Sequence, residues 1–144
     1  MNEMIYFVMV THGKFAEGIK NSIEIVLGKF KNLECLSCYT EENFNLDREI
    51  DKILMKHKDK QIIAITDIFG GSVNNAFMEK TALNPNLYVV CGLNLSLMLA
   101  LLGEYEEYET ADELIKDAIA NSSDAVKYCN LELEKNEKIE DEDF

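Results

Sequence analysis

Ile62-Ile63-Ala64-Ile65-Thr66-Asp67-Ile68-Phe69-Gly70-Gly71-Ser72 is the stretch on which the fold turns. Its first four residues form a short, unbroken apolar run, as expected of a strand buried on both faces. The residues that follow stop the strand and turn the chain. Two runs of the same kind occur at Ile5–Val10 and Leu87–Cys91, and a fourth strand-like segment begins at Leu33. Helical patterns fill the gaps. Phe15, Ala16, Ile19, Ile23, Val26 and Leu27 recur at helical spacing, as do Leu46, Ile50, Ile53 and Leu54, with Asp47 opening the latter's first turn. Ala76, Phe77, Met78 and Thr81 continue a third, weaker pattern. Strand and helix alternating at this period predict right-handed crossovers and an α/β fold. Its core is a four-stranded parallel sheet with helices on both faces.

Downstream, Leu95–Leu102 reads as a short apolar helix. Thr110 with Glu113 makes a capping box for another, whose buried stripe is Ala111, Leu114, Ile115, Ala118 and Ile119. Ala125–Leu131 reads as a short last strand, able to fold back or to be exchanged in a homodimer, because an open sheet edge invites pairing. From Asn136 the charged residues show no fold pattern. The domain is therefore placed at residues 1–131, followed by an acidic tail at 132–144.

Ligand chemistry in a sheet of this kind gathers beyond the carboxyl ends of its strands. Thr11-His12-Gly13 ends the first strand and Thr66-Asp67 ends the third, so neighbouring strands would bring His12 to Asp67. A carboxylate on one imidazole nitrogen fixes the tautomer and exposes the other nitrogen's lone pair, an arrangement that serves a nucleophile or a base equally. Gly70-Gly71-Ser72 adds a turn whose amides can converge on an anion, with Ser72 as the expected N-cap of the next helix. Neither of the common nucleotide-binding glycine loops is present. A site for one phosphoryl group without a nucleotide loop fits relay between proteins better than a kinase.

The 144 residues carry a net charge of −13 at 47% apolar content. Residues 104–113 and 132–143 account for 11 of those negative charges. Such a surface lacks the basic footprint of a nucleic-acid binder and suits a basic protein partner instead. No apolar run reaches the roughly 18–20 residues of a membrane span, and the short run near the start lacks a basic leader, so the chain is expected in the cytoplasm. Cys35-x-x-Cys38 lies in a strand-like segment, Leu33–Tyr39, that points residues three apart to opposite faces. It is read as buried thiol packing, with no metal site. His57, in Lys56-His57-Lys58-Asp59-Lys60, is read as a solvated surface residue.

Thr11-His12-Gly13-Lys14-Phe15-Ala16-Glu17-Gly18, Thr66–Ser72 and Gly92-Leu93-Asn94-Leu95-Ser96-Leu97-Met98 together resemble the enzyme IIA component of the mannose-type sugar phosphotransferase system, over about residues 4–130. The resemblance implies that His12 is phosphorylated through Nε2, that Asp67 is its hydrogen-bond partner, and that Gly70, Gly71 and Ser72 surround the phosphoryl group. It implies a homodimer that takes phosphoryl from the phosphocarrier HPr and gives it to a IIB component. That component feeds a membrane permease, so contact with the membrane is indirect. Phosphoenolpyruvate is the ultimate donor, and no cofactor or metal is implied. Val73 and Ser96 stand where the family usually has proline, a change to turn rigidity that leaves the chemical residues intact. Part of the pattern also fits the phosphotransfer subunit of a dihydroxyacetone kinase, a receiver domain phosphorylated on Asp67, or a binding module that has lost transfer.

Overall fold

The structure, a computed structural model, describes the backbone of residues 4–143 and the side chains through residue 136. Four strands, β1 (Ile5–His12), β2 (Leu33–Cys38), β3 (Gln61–Thr66) and β4 (Leu87–Cys91), form one parallel sheet in the order β2-β1-β3-β4. Five helices pack around it or follow it closely: α1 (Phe15–Val26), α2 (Leu46–Lys56), α3 (Ser72–Lys80), α4 (Leu95–Glu104) and α5 (Ala111–Ser122). The parallel α/β architecture expected from the sequence is present.

Alternation along β1 divides the core in two. Ile5, Phe7 and Met9 face one layer with Ala16, Ile23, Met98, Leu101 and Leu114 from α1, α4 and α5. Val8 and Val10 face the other, with Ile50, Ile53, Val73 and Phe77 from α2 and α3. Each strand residue thus buries its side chain whichever way it points, and this is why the strands read as unbroken apolar runs. Cys35 packs with the first layer and Cys38 with the second, on opposite faces as their spacing requires. Burial pushes the Cys35 thiol up to about 11 and the Cys38 thiol up to about 12, so both stay protonated and unreactive at neutral pH.

Side-chain caps hold several helix starts. Thr110 accepts from the Glu113 N–H at 3.3 Å as expected. Asn45 and Asn94 do the same for α2 and α4, accepting from Arg48 and Leu97 at 3.0 and 2.8 Å. Val73 is fully buried between α3 and the sheet. Phe15, Val26 and Leu27, expected in the buried stripe of α1, are exposed; the stripe that meets the sheet is Ala16, Ile19 and Ile23.

The expected strand at Ala125–Leu131 does not form. Residues 125–128 are irregular and a sixth helix, α6 (Cys129–Asp143), begins inside the predicted strand. Alternation over seven residues is too short a signal to specify a strand unless a sheet edge pairs with it. The segment read as an unfolded tail from Asn136 is the continuation of this helix through Asp143.

His57 also departs from expectation. It is buried, stacked on Tyr6 with ring centroids 3.6 Å apart. Its Nε2 lies 3.6 Å from Glu34 Oε1, too far for a hydrogen bond, and has no hydrogen-bond partner among the described residues. Glu34 instead accepts from the Tyr6 hydroxyl at 2.8 Å. The flanking lysines made the position look solvated, but one residue past α2 the chain turns the ring onto β1. Burial pushes the imidazole below its ordinary value, an effect opposed by Glu34 and reinforced by Lys56 and Lys60. An imidazole with a depressed folded value binds its proton first in the unfolded chain. Stability is therefore full above about pH 6.5 and falls as pH drops through that value. The denaturation midpoint is expected to be lower at about pH 5.5 than at about pH 7.5, with the difference reduced in His57→Phe. An equal pH difference in both proteins would remove His57 as its source.

Candidate functional site

The order β2-β1-β3-β4 reverses direction between β1 and β3, and in open α/β sheets ligands bind beyond the strand ends at such a point. His12 closes β1 and Asp67 follows β3 directly. Asp67 Oδ2 accepts two bonds from His12, from the backbone N–H at 2.8 Å and from the ring Nδ1 at 2.9 Å. Its other oxygen accepts from the Ile68 N–H at 3.0 Å. A carboxylate can only accept, so Nδ1 carries the proton and Nε2 presents its lone pair. The imidazole is 42% exposed, whereas the carboxylate is 14% exposed. The imidazole is open and the carboxylate that orients it is sheltered.

Burial alone raises the Asp67 value, but the His12 backbone and ring bonds and the Ile68 N–H outweigh it and hold the carboxyl below the usual carboxylate range. Asp67 is therefore a fixed negative charge at neutral pH. It is placed to balance positive charge that builds on the ring.

The glycine turn lies beside this pair. Gly70 has φ of 80°, a left-handed conformation that side chains disfavour. At Gly71 a Cβ would sit 3.2 Å from Ile68 Cγ1, which would have to shift slightly, and 3.5 Å from His12 Cε1, in van der Waals contact with the ring. The cap position of α3 is Gly71, and Ser72, expected as the cap, is the first helical residue. No side chain caps this helix start, which leaves its first amides and the dipole behind them directed out of the helix toward an anion. The start of α1 is organised by Thr11, whose Oγ1 accepts from the Ala16 N–H at 2.9 Å.

All five sequence-predicted site residues, His12, Asp67, Gly70, Gly71 and Ser72, thus lie at one strand edge. The sequence reading missed Tyr39. Cys38 is in register with His12 and ends β2, and Tyr39 turns out of the sheet there rather than continuing the strand. Its ring centroid is 5.7 Å from that of His12 and its hydroxyl is 2.8 Å from Ser72 Oγ. Its position just after a strand was the available signal. Phe15, Tyr39, Ile68 and Phe69 are exposed apolar residues near His12 in the chain or in space, with Phe69 75% exposed.

Comparison with known proteins finds relatives that match most of the chain. The fructose-specific EIIA component of the phosphotransferase system (PTS) in Bacillus subtilis is 25% identical over 134 residues, covering 92% of this chain and 91% of that one. The mannose-specific EIIAB component of Escherichia coli is 24% identical over 125 residues, covering 85% of this chain but 39% of that longer one. A solved Klebsiella pneumoniae structure, assigned to a phosphoenolpyruvate-dependent sugar phosphotransferase system permease, superposes with a TM-score of 0.83 at 33% identity. That match covers 90% of this chain and 96% of the other. Residues 6–124 match the EIIA-man family, described as the PTS system fructose IIA component, and the chain belongs to that family.

Proposed function

We propose that the chain is a phosphohistidine carrier, in which His12 accepts a phosphoryl group from HPr and passes it to a IIB component for sugar uptake. The single observation that carries this reading is the Asp67–His12 pair, with an exposed imidazole whose Nε2 has no hydrogen bond among the described residues, beside an uncapped helix start. The Nε2 lone pair attacks phosphorus as the donor's P–N bond breaks. The Nδ1 proton stays in its bond to Asp67, whose charge offsets the ring's new positive charge. Gly70, Gly71 and Ser72 hold the phosphoryl oxygens. Transfer onward is the same displacement with the IIB nucleophile attacking.

Attack from a partner protein needs an open site, and the exposed Phe15, Ile68 and Phe69 offer apolar area for docking HPr and IIB in turn. The acidic surface suits a basic partner face. This relay takes place in the cytoplasm, and among the described residues no helix is long and apolar enough to cross a membrane. The relatives are named for different sugars, in keeping with a component that does not itself touch the sugar. Incubation with phosphoenolpyruvate, enzyme I and HPr, followed by phosphosite mapping, tests the reading. Phosphate on His12 supports it, and phosphate mapped to Asp67 would replace it with a receiver-type reading.

The working unit is a homodimer in this reading. Val126, Tyr128, Leu131 and Leu133 are exposed on the segment entering α6, and a second copy would cover them. Light scattering at micromolar concentration should give twice the chain mass, and removal of residues 125–144 should return it to one. A full-length monomer would end the dimer proposal and leave the phosphoryl chemistry standing.

A further inference from the structure

Tyr39 combines three features that packing alone does not account for. Among the described residues it is the one non-glycine with positive φ, at 64°, a conformation that bulky side chains rarely adopt. The strain gains little burial, because the residue is 51% exposed. What the conformation does is carry the phenol from the end of β2 across to the start of α3, its ring edge-on to Phe44 with centroids 5.4 Å apart. There its oxygen lies 2.8 Å from Ser72 Oγ, and either group can donate.

The choice of donor decides what Ser72 offers the site. A hydroxyl has one hydrogen. If Ser72 spends it on Tyr39, only lone pairs face the helix start, and these repel an anion. If Tyr39 donates, the Ser72 hydrogen is free for a phosphoryl oxygen, and the two bonds polarise one another. We propose that Tyr39 is a positioning residue, which donates its phenolic hydrogen to Ser72 Oγ and so fixes Ser72 as a donor to the phosphoryl group on His12. The inference rests on the phosphocarrier reading. A bound phosphoryl group, whose oxygens accept hydrogen bonds, selects the Tyr39-to-Ser72-to-phosphoryl direction of the relay.

The test is a double-mutant cycle with Tyr39→Phe and Ser72→Ala. Phenylalanine keeps the ring against Phe44 and His12 and removes only the hydroxyl. The full chain is phosphorylated by phosphoramidate, a small chemical donor that needs no partner protein, and the initial rate at His12 is measured. Y39F is expected to be slower by about tenfold, the scale of one charge-assisted hydrogen bond. The phosphorus NMR shift of phosphorylated His12 is expected to move with it. In the S72A background Y39F should cause no further loss, because Tyr39 acts through Ser72. A Y39F rate equal to that of the unaltered chain overturns the relay, as does an equal Y39F penalty with and without Ser72. If the unaltered chain takes no phosphoryl group from either phosphoramidate or HPr, the phosphocarrier reading falls and the relay falls with it. The first two results leave the phosphocarrier reading intact.

Discussion

His12→Ala is expected to abolish phosphoryl labelling by phosphoenolpyruvate, enzyme I and HPr, with the fold unchanged. The side chain sits at the end of β1, exposed on one side and outside both core layers, so truncation opens no buried cavity. In the proposed relay the other groups at the strand edge position or balance a group on Nε2, and none of them replaces the bond to phosphorus. The informative control is His57→Phe. That histidine is stacked on Tyr6 and buried, so its loss affects stability while labelling continues at nearly the normal rate. Labelling is read by phosphosite mapping after mild, alkaline work-up that preserves phosphohistidine. Substantial incorporation into the His12 variant would sink the assignment of the acceptor.

Asp67→Ala is expected to slow phosphoryl uptake by about 10²–10⁴-fold, the usual scale for a group that orients and balances a reacting imidazole. Two bonds from His12 converge on one oxygen of this carboxylate, so its loss frees both the strand end and the ring tautomer. Asp67→Asn separates the contributions: the amide oxygen can still accept from Nδ1, but the negative charge is gone. A penalty of similar size in both variants assigns most of the effect to charge. The sign of the pH dependence follows from the lowered Asp67 value. The charge, and the stability its bonds confer, are present above the unfolded carboxylate value near 3.9 and lost as pH falls through the lower folded value. Between about pH 5 and 8 Asp67 stays ionised, so a change in transfer rate across that window does not come from it. An Asp67→Ala rate equal to that of the unaltered chain would show that other groups set the His12 ring.

His12, Asp67 and the glycine turn were legible in the sequence because each sits where a strand ends, and strand ends are marked locally. An apolar run stops, and a polar residue and a glycine follow. The same local marking gave the four parallel strands, the opposed faces of Cys35 and Cys38, and the Thr110 cap. These features depend on backbone period and on hydrogen bonds a few residues long, which neighbouring residues specify.

Tertiary structure alone decided the rest. Sheet order made β1 and β3 neighbours, and without it His12 and Asp67 are two residues 55 positions apart. The strained turn at Tyr39 sits just after a strand, but only the tertiary structure brings its hydroxyl to Ser72 on α3. Ser72, expected as the cap of α3, is its first helical residue and contacts Tyr39 instead. His57 looked solvated among lysines, yet its ring found an aromatic partner 51 residues earlier. Ala125–Leu131 carries a strand's alternation but pairs with no strand of its own sheet, so its later residues join a helix. A strand needs a partner for its backbone groups, whereas a helix satisfies its own, and sequence period cannot say whether the partner is there.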